Sequence, residues 1–191
     1  MHEQLLKEMA KQTSVSDEDR ALCLRYFEWL QVPKNTLLEE EGYIPKHIYF
    51  VLSGYVRLFH YDEDGNENTL HFNCPPGFIT SYHHLINQTR SDENVEAVTD
   101  CSLLRITKAD LDVMVSQSPA MKDYSIFVLQ RSMIYNETRS KELATLTAEQ
   151  RYLKLIDHYP DMIQHLPLQY IASFLGMNAK SLSRIRRQLI K

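Results

Sequence analysis

The chain has 191 residues, 43% of them hydrophobic and 24% charged, a balance that suits a folded globular protein and excludes a disordered or fibrous one. No uninterrupted apolar run approaches the roughly 18 residues that would span a bilayer. The opening MHEQLLKEMAKQ also lacks the long apolar stretch of a secretory signal, so a cytoplasmic protein without membrane contact is expected. The net charge of −4 conceals two unlike regions: residues 1–138 hold 12 Lys/Arg against 21 Asp/Glu, whereas residues 139–191 hold 9 against 4. From Gly176 onward there are five basic residues and no acidic one, so a polyanion is drawn to the C-terminal end and repelled by the rest.

The cysteines, Cys23, Cys74 and Cys101, are widely spaced and form no CxxC. Neither a disulfide scaffold nor a structural metal site is expected from them.

In chain order, residues 3–12 and 17–30 have helical periodicity, with Ser16 as cap and Asp17, Glu18 and Asp19 in the first turn. From Thr36 short stretches rich in β-branched and aromatic residues alternate with turn signals: HIYFVLSG, YVRLFHYDEDGNENTLHFN, PPG, VEAV and CSLLRI. Within YVRLFHY, alternation places Val56, Leu58 and His60 on one face and Arg57, Phe59 and Tyr61 on the other. DEDGNE is a hairpin turn with Gly65 where positive φ is useful. Strands at this spacing predict a barrel or sandwich.

One long helix is predicted over about 119–141, with Pro119 in its first turn. Its apolar residues, among them Met121, Tyr124, Phe127, Val128, Ile134 and Tyr135, fall at three- and four-residue steps and are interrupted by Arg131. Such a stripe suits a helix lying across its own barrel, and equally one that also pairs with a copy of itself. A further helix follows in LTAEQRYLKLIDHYP, capped by Thr147 and stopped by Pro160.

Residues 168–187, LQYIASFLGMNAKSLSRIRR, have the spacing of a helix-turn-helix. The small Ala172 lets a second helix cross closely, and Gly176 accepts the sharp turn. Asn178 caps the second helix, which buries Leu182, Ile185 and Leu189. Its remaining faces carry Lys180, Ser181, Ser183, Arg184, Arg186, Arg187 and Lys191. Arg184 is the expected base reader, since guanidinium pairs with guanine in a bidentate manner. Lys180 and Ser181 suit base edges or phosphate, and Arg186, Arg187 and Lys191 suit phosphate. No nucleophile–base spacing marks an enzyme. The competing class is a non-enzymatic sensor or scaffold whose output is a protein contact.

With these stretches in view, residues 30–190 resemble the Crp/Fnr family of bacterial transcription factors. The resemblance implies an α+β architecture: a cyclic-nucleotide-binding-like β jelly roll with N-terminal helices over residues 1–118, a dimerisation helix over 119–142 and a helix-turn-helix domain over 143–191. It also implies a homodimer on a palindromic duplex, with RNA polymerase as a further expected partner. The dimer contacts would come from Tyr124, Phe127, Val128, Arg131, Ile134 and Tyr135. The effector pocket would be built from Gly77, Phe78, Ile79, Arg90, Ser91 and Asp92.

The departures from the family pattern are specific. In nucleotide-binding members a glutamate follows the glycine here at Gly77, but this chain has Phe78. Ser91 and Asp92 occupy the Arg-Ser positions, with Arg90 one residue early. Cyclic AMP is therefore not the expected effector: the barrel binds another small ligand or serves as a scaffold, and no cofactor is expected. Ala179 and Lys180 replace the common Arg-Glu pair of the recognition helix, and the sequence ends at Lys191 before the usual β-hairpin wing, which marks a divergent, wingless member.

Overall fold

A computed structural model describes residues 1–189. Two helices open the chain, α1 (His2–Ala10) and α2 (Asp17–Tyr26). The strands follow: β1 (Glu28–Val32), β2 (Leu37–Glu39), β3 (His47–Ser53), β4 (Val56–Tyr61), β5 (Glu67–Asn73) and β6 (Gly77–Ile79). Helix α3 (Tyr82–Asn87) separates these from β7 (Asn94–Ala97) and β8 (Cys101–Thr107). The C-terminal part is helical: α4 (Lys108–Gln117), α5 (Pro119–Thr145), α6 (Ala148–His158), α7 (Pro160–His165), α8 (Leu168–Phe174) and α9 (Ala179–Leu189).

The strands form two antiparallel sheets in the orders β1-β8-β3-β6 and β2-β7-β4-β5, the arrangement of a jelly roll. Val32, Tyr49, Val51 and Leu103 of the first sheet share one core with Val56, Val95 and Ala97 of the second. The β4–β5 hairpin turns at Gly65 with φ +78°, while Asp62 collects backbone N–H groups from Asp64 and Asn66.

The helix expected to run to residue 30 stops at Tyr26. Phe27 is extended, and Trp29 and Leu30 pair in β1 with Leu104 and Leu103 of β8. The pull of that sheet edge outweighs local periodicity, and the Trp29 indole N–H donates to the Ser102 hydroxyl at 2.9 Å. The start of α2 follows the expected chemistry, since Ser16 and Asp19 form a reciprocal capping box. Asp19 also accepts from the Ser118 hydroxyl at the head of α5. Burial opposes ionisation of Asp19, but the hydrogen bonds from Ser118 and Ser16 outweigh it and hold the carboxyl below its ordinary range. The N-terminal helices thus lock to the long helix, around a core of Leu5, Met9, Cys23, Phe50, Met114 and Tyr124.

Helix α5 runs 27 residues, about 40 Å at ~1.5 Å per residue. Beyond it, α6 starts at a Thr147–Gln150 capping box. A separate core of Tyr152, Leu155, Met162, Ile171, Ala172, Leu175, Leu182 and Ile185 holds α6 to α9 together, and it extends to Phe72 of β5. Among the described residues, no helix is long and apolar enough to cross a membrane. The three cysteines are free thiols, with Cys23 and Cys101 buried.

Candidate nucleic-acid interface

Helices α8 and α9 and the turn between them form the helix-turn-helix. Ala172 is 1% exposed at the crossing, and Gly176 takes φ +67°, where L side chains are strained. Space is also short there, because a Cβ on Gly176 would come within 3.3 Å of Leu143 on α5. Asn178 caps α9 by accepting from the Ser181 N–H at 2.8 Å. Leu182 and Ile185 are buried beneath α9, but Leu189 is 40% exposed rather than buried as expected. It lies at the last described turn, beyond the end of the facing helix core.

The outer face of α9 is basic. Lys180, Arg184 and Arg187 are exposed, and Ser181, Ser183 and Arg186 are half-buried beside them. Among the described residues, none of these cations has an acidic partner within ion-pair distance, although six other lysines and arginines do. Lys191 lies outside the described residues.

The first helix of the motif is docked on the jelly roll, which sequence reasoning missed. Edge strand β5 offers its Thr69 N–H to the Ser173 hydroxyl at 2.8 Å, and that hydroxyl donates to the Glu67 carbonyl at 3.1 Å. Phe174 packs edge-on to Phe72 with centroids 5.2 Å apart. Arg57, on the face of β4 shared with Phe59, is 1% exposed. Its Nε donates to Glu96 at 2.6 Å, its Nη2 reaches Glu67 at 2.7 Å, and its guanidinium lies over the rings of Phe59 and Tyr170. The outer face of β4 is covered because α8 packs there, and a register shift between Leu58 and Phe59 breaks the simple alternation. At the other end of α8, Arg139 of α5 donates to the Phe174 carbonyl at 2.6 Å and Arg151 of α6 donates to that of Leu175 at 2.9 Å. These two arginines satisfy carbonyls that the end of a helix leaves unpaired.

The expected effector residues are partly dispersed. Gly77 fits tightly, since a Cβ there would meet the Asn73 side-chain oxygen at 2.5 Å. Phe78 packs against Phe50 at 4.8 Å and lies 6.2 Å from Tyr124 of α5, so it belongs to the core beneath the long helix. Ile79 is buried between the sheets. Arg90 is exposed and donates to the Gly42 carbonyl, and Asp92 accepts from His84 at the surface. Only Ser91 turns inward, where its hydroxyl contacts that of Ser81 at 3.1 Å and donates to the Glu93 carbonyl. Ser81 also donates to the Glu93 carboxylate. Beside them lies Glu39, whose carboxyl is pushed up to about 7 by burial, with the Glu93 charge adding to it. Glu39 was not picked out from the sequence, because no motif joins residues 39, 81 and 93.

The family model described as cyclic nucleotide-binding domain matches residues 29–118. The cyclic AMP receptor protein of Thermus thermophilus is 24% identical over 179 residues, spanning 92% of this chain and 82% of that one. Among solved structures, FixK2 of Bradyrhizobium japonicum matches with a TM-score of 0.70 at 17% identity, covering 85% of this chain and 84% of its own. The c-di-GMP-responsive regulator CLP of Xanthomonas campestris matches with a TM-score of 0.68 at 16% identity, covering 91% of each chain. Residues 29–118 thus form a cyclic nucleotide-binding domain, and the chain is similar in sequence and fold to Crp/Fnr-type regulators.

In a Crp/Fnr frame α5 is the long connecting helix, and its side chains divide between two faces. Tyr124 is buried, and Phe127 and Val128 pack against the same core of the N-terminal helices and barrel. Tyr135 meets His71 of β5 edge-on at 5.0 Å. These four, expected as dimer contacts, are engaged within the chain because the helix period turns them toward the barrel. Of the expected six, Arg131 and Ile134 face solvent. The exposed apolar face is Ile126, Leu129, Met133 and Ile134, from 45% to 69% exposed.

Proposed function

We propose that this protein is a sequence-specific DNA-binding transcriptional regulator that acts as a homodimer, with α9 as its reading helix. The observation that carries the proposal is the exposed, carboxylate-free basic face of α9, presented by a tight turn at Gly176 on an otherwise acidic protein. Arg184 reads base edges from this face, and Arg186 and Arg187 hold phosphates. The second copy docks on Ile126, Leu129, Met133 and Ile134 of α5, a continuous apolar strip whose exposure in a single chain favours association.

Cyclic AMP is not the effector in this proposal. Where a cyclic phosphate would need a cation, the inward groups are the hydroxyls of Ser81 and Ser91 and the carboxyls of Glu39 and Glu93, while Arg90 is turned away. Burying a phosphate against two carboxyls costs far more than its remaining hydrogen bonds return.

Fluorescence anisotropy of a labelled duplex, titrated at increasing salt, tests the DNA contact. Affinity should fall steeply, with a log–log slope of about −0.9 per phosphate neutralised. An affinity that stays flat with salt contradicts the proposal.

A further inference from the structure

A cavity of about 170 Å³ lies between the second half of α5, helix α6 and the end of α8, away from the jelly-roll interior. Tyr135, Arg139 and Glu142 face it from α5, Arg151, Lys154 and His158 from α6, and Phe174 from α8. The Glu142 carboxylate is engaged by Lys154 at 2.8 Å. His158 stands at the exposed rim beside Asp157, and His71 of β5 lies close enough to Arg139 to feel its charge. Arg139 and Arg151 therefore bring two positive charges that no carboxylate pairs within ion-pair distance among the described residues.

The two arginines use backbone carbonyls instead, Arg139 that of Phe174 and Arg151 those of Leu175 and Leu146. Arg139 spends one such hydrogen bond out of five N–H donors. Its guanidinium also lies 3.8 Å over the Phe174 ring. Burial destabilises its charge, and Arg151 adds repulsion, against partial relief from Tyr135 and Glu142.

We propose that this cavity binds a small carboxylate carrying one flat apolar group, with Arg139 as its main anion contact. The planar guanidinium fork matches a carboxylate, and Phe174 supplies an apolar wall. The volume is close to the ~150 Å³ that holds a single benzene ring and well below the ~300 Å³ or more of a drug-sized site. A bound anion draws Arg139 toward the cavity and away from the end of α8, so occupancy changes how firmly the helix-turn-helix is tied to α5. That last consequence rests on the DNA-binding reading; the binding itself does not.

Calorimetric titration of the full chain with benzoate, and with the neutral isostere benzamide at equal ionic strength, tests the site. Saturable binding of benzoate is expected, about tenfold or more weaker for benzamide and for Arg139→Gln, as loss of a charged hydrogen bond requires. Thr138→Trp, which fills the cavity from α5, should abolish binding while circular dichroism shows a folded chain. Equal affinity for benzamide, or undiminished binding in both variants, or no saturable benzoate binding, overturns the site. Duplex affinity measured in the same samples separates the two proposals. An affinity that ignores bound benzoate overturns the coupling alone, and an absence of any duplex binding overturns the regulator reading without touching the site.

Discussion

The guanidinium carbon of Arg57 lies 3.5 Å from the centroid of the Tyr170 ring, and this contact joins the jelly roll to the first helix of the helix-turn-helix. Arg57 is already committed to Glu96 and Glu67, so Tyr170 rests on a cation whose position the barrel fixes. Its Nη1 has no hydrogen-bond partner, and the ring faces of Tyr170 and Phe59 stand in for one.

Arg57→Met strands two carboxylates, one of them nearly buried, and should cost about 3–5 kcal/mol. Tyr170→Leu leaves the ion pairs intact and should cost far less. In a double-mutant cycle on urea unfolding, Arg57 and Tyr170 should couple by about 0.5–2 kcal/mol, the range of a desolvated cation–π contact. Additive losses would show that α8 does not use Arg57.

Ser173→Ala removes both hydrogen bonds to β5 and should destabilise by about 1 kcal/mol. The sharper readout is hydrogen exchange. The Thr69 amide, protected only through Ser173, should exchange much faster in the variant. Amides in the β4–β7 ladder should keep their protection.

The chemistry of local segments was legible in the sequence, and contacts between distant ones were not. The caps at Ser16, Thr147 and Asn178, the Gly65 and Gly176 turns and the buried Leu182 and Ile185 all follow from residues within a few positions of each other. The Phe78 departure was visible too, because it stands at a fixed place after Gly77. By contrast, Ser173 and Thr69 are 104 residues apart, and nothing in YVRLFHY announces that α8 will cover Arg57. The division of α5 into inner and outer faces was hidden for the same reason: its stripe is apolar on both sides, and only the barrel decides which side is inner.

Glu39 gives a pH dependence with a definite sign. Its folded pKa of about 7 exceeds the ordinary carboxyl value, so the native state holds a proton that the unfolded chain releases. The stability tied to that proton is fully present below about pH 4.5 and is lost as pH rises through about 7. Glu39→Gln should therefore raise the melting temperature at pH 8 and change it little at pH 5. An equal change at both pH values would mean that Glu39 is charged throughout.

Met133 is the most exposed apolar residue of the α5 strip, at 69%. Met133→Glu would bury a charge at a two-fold contact, where like charges face one another. Sedimentation should show the wild type as a dimer and the variant shifted to monomer, with duplex affinity lowered in parallel. A variant that sediments as wild type would place the association surface elsewhere.

Selection of the purified chain against a random duplex pool tests the central claim most directly, run side by side with Arg184→Ala. The expected result is an enriched two-fold-symmetric site whose half-sites lie about one helical turn, ~34 Å, apart. In the variant the preference should relax at one base pair of each half-site, as loss of a bidentate guanine contact requires. A pool that stays random with folded, dimeric protein, or an enriched site without two-fold symmetry, would contradict a dimer that reads DNA through α9.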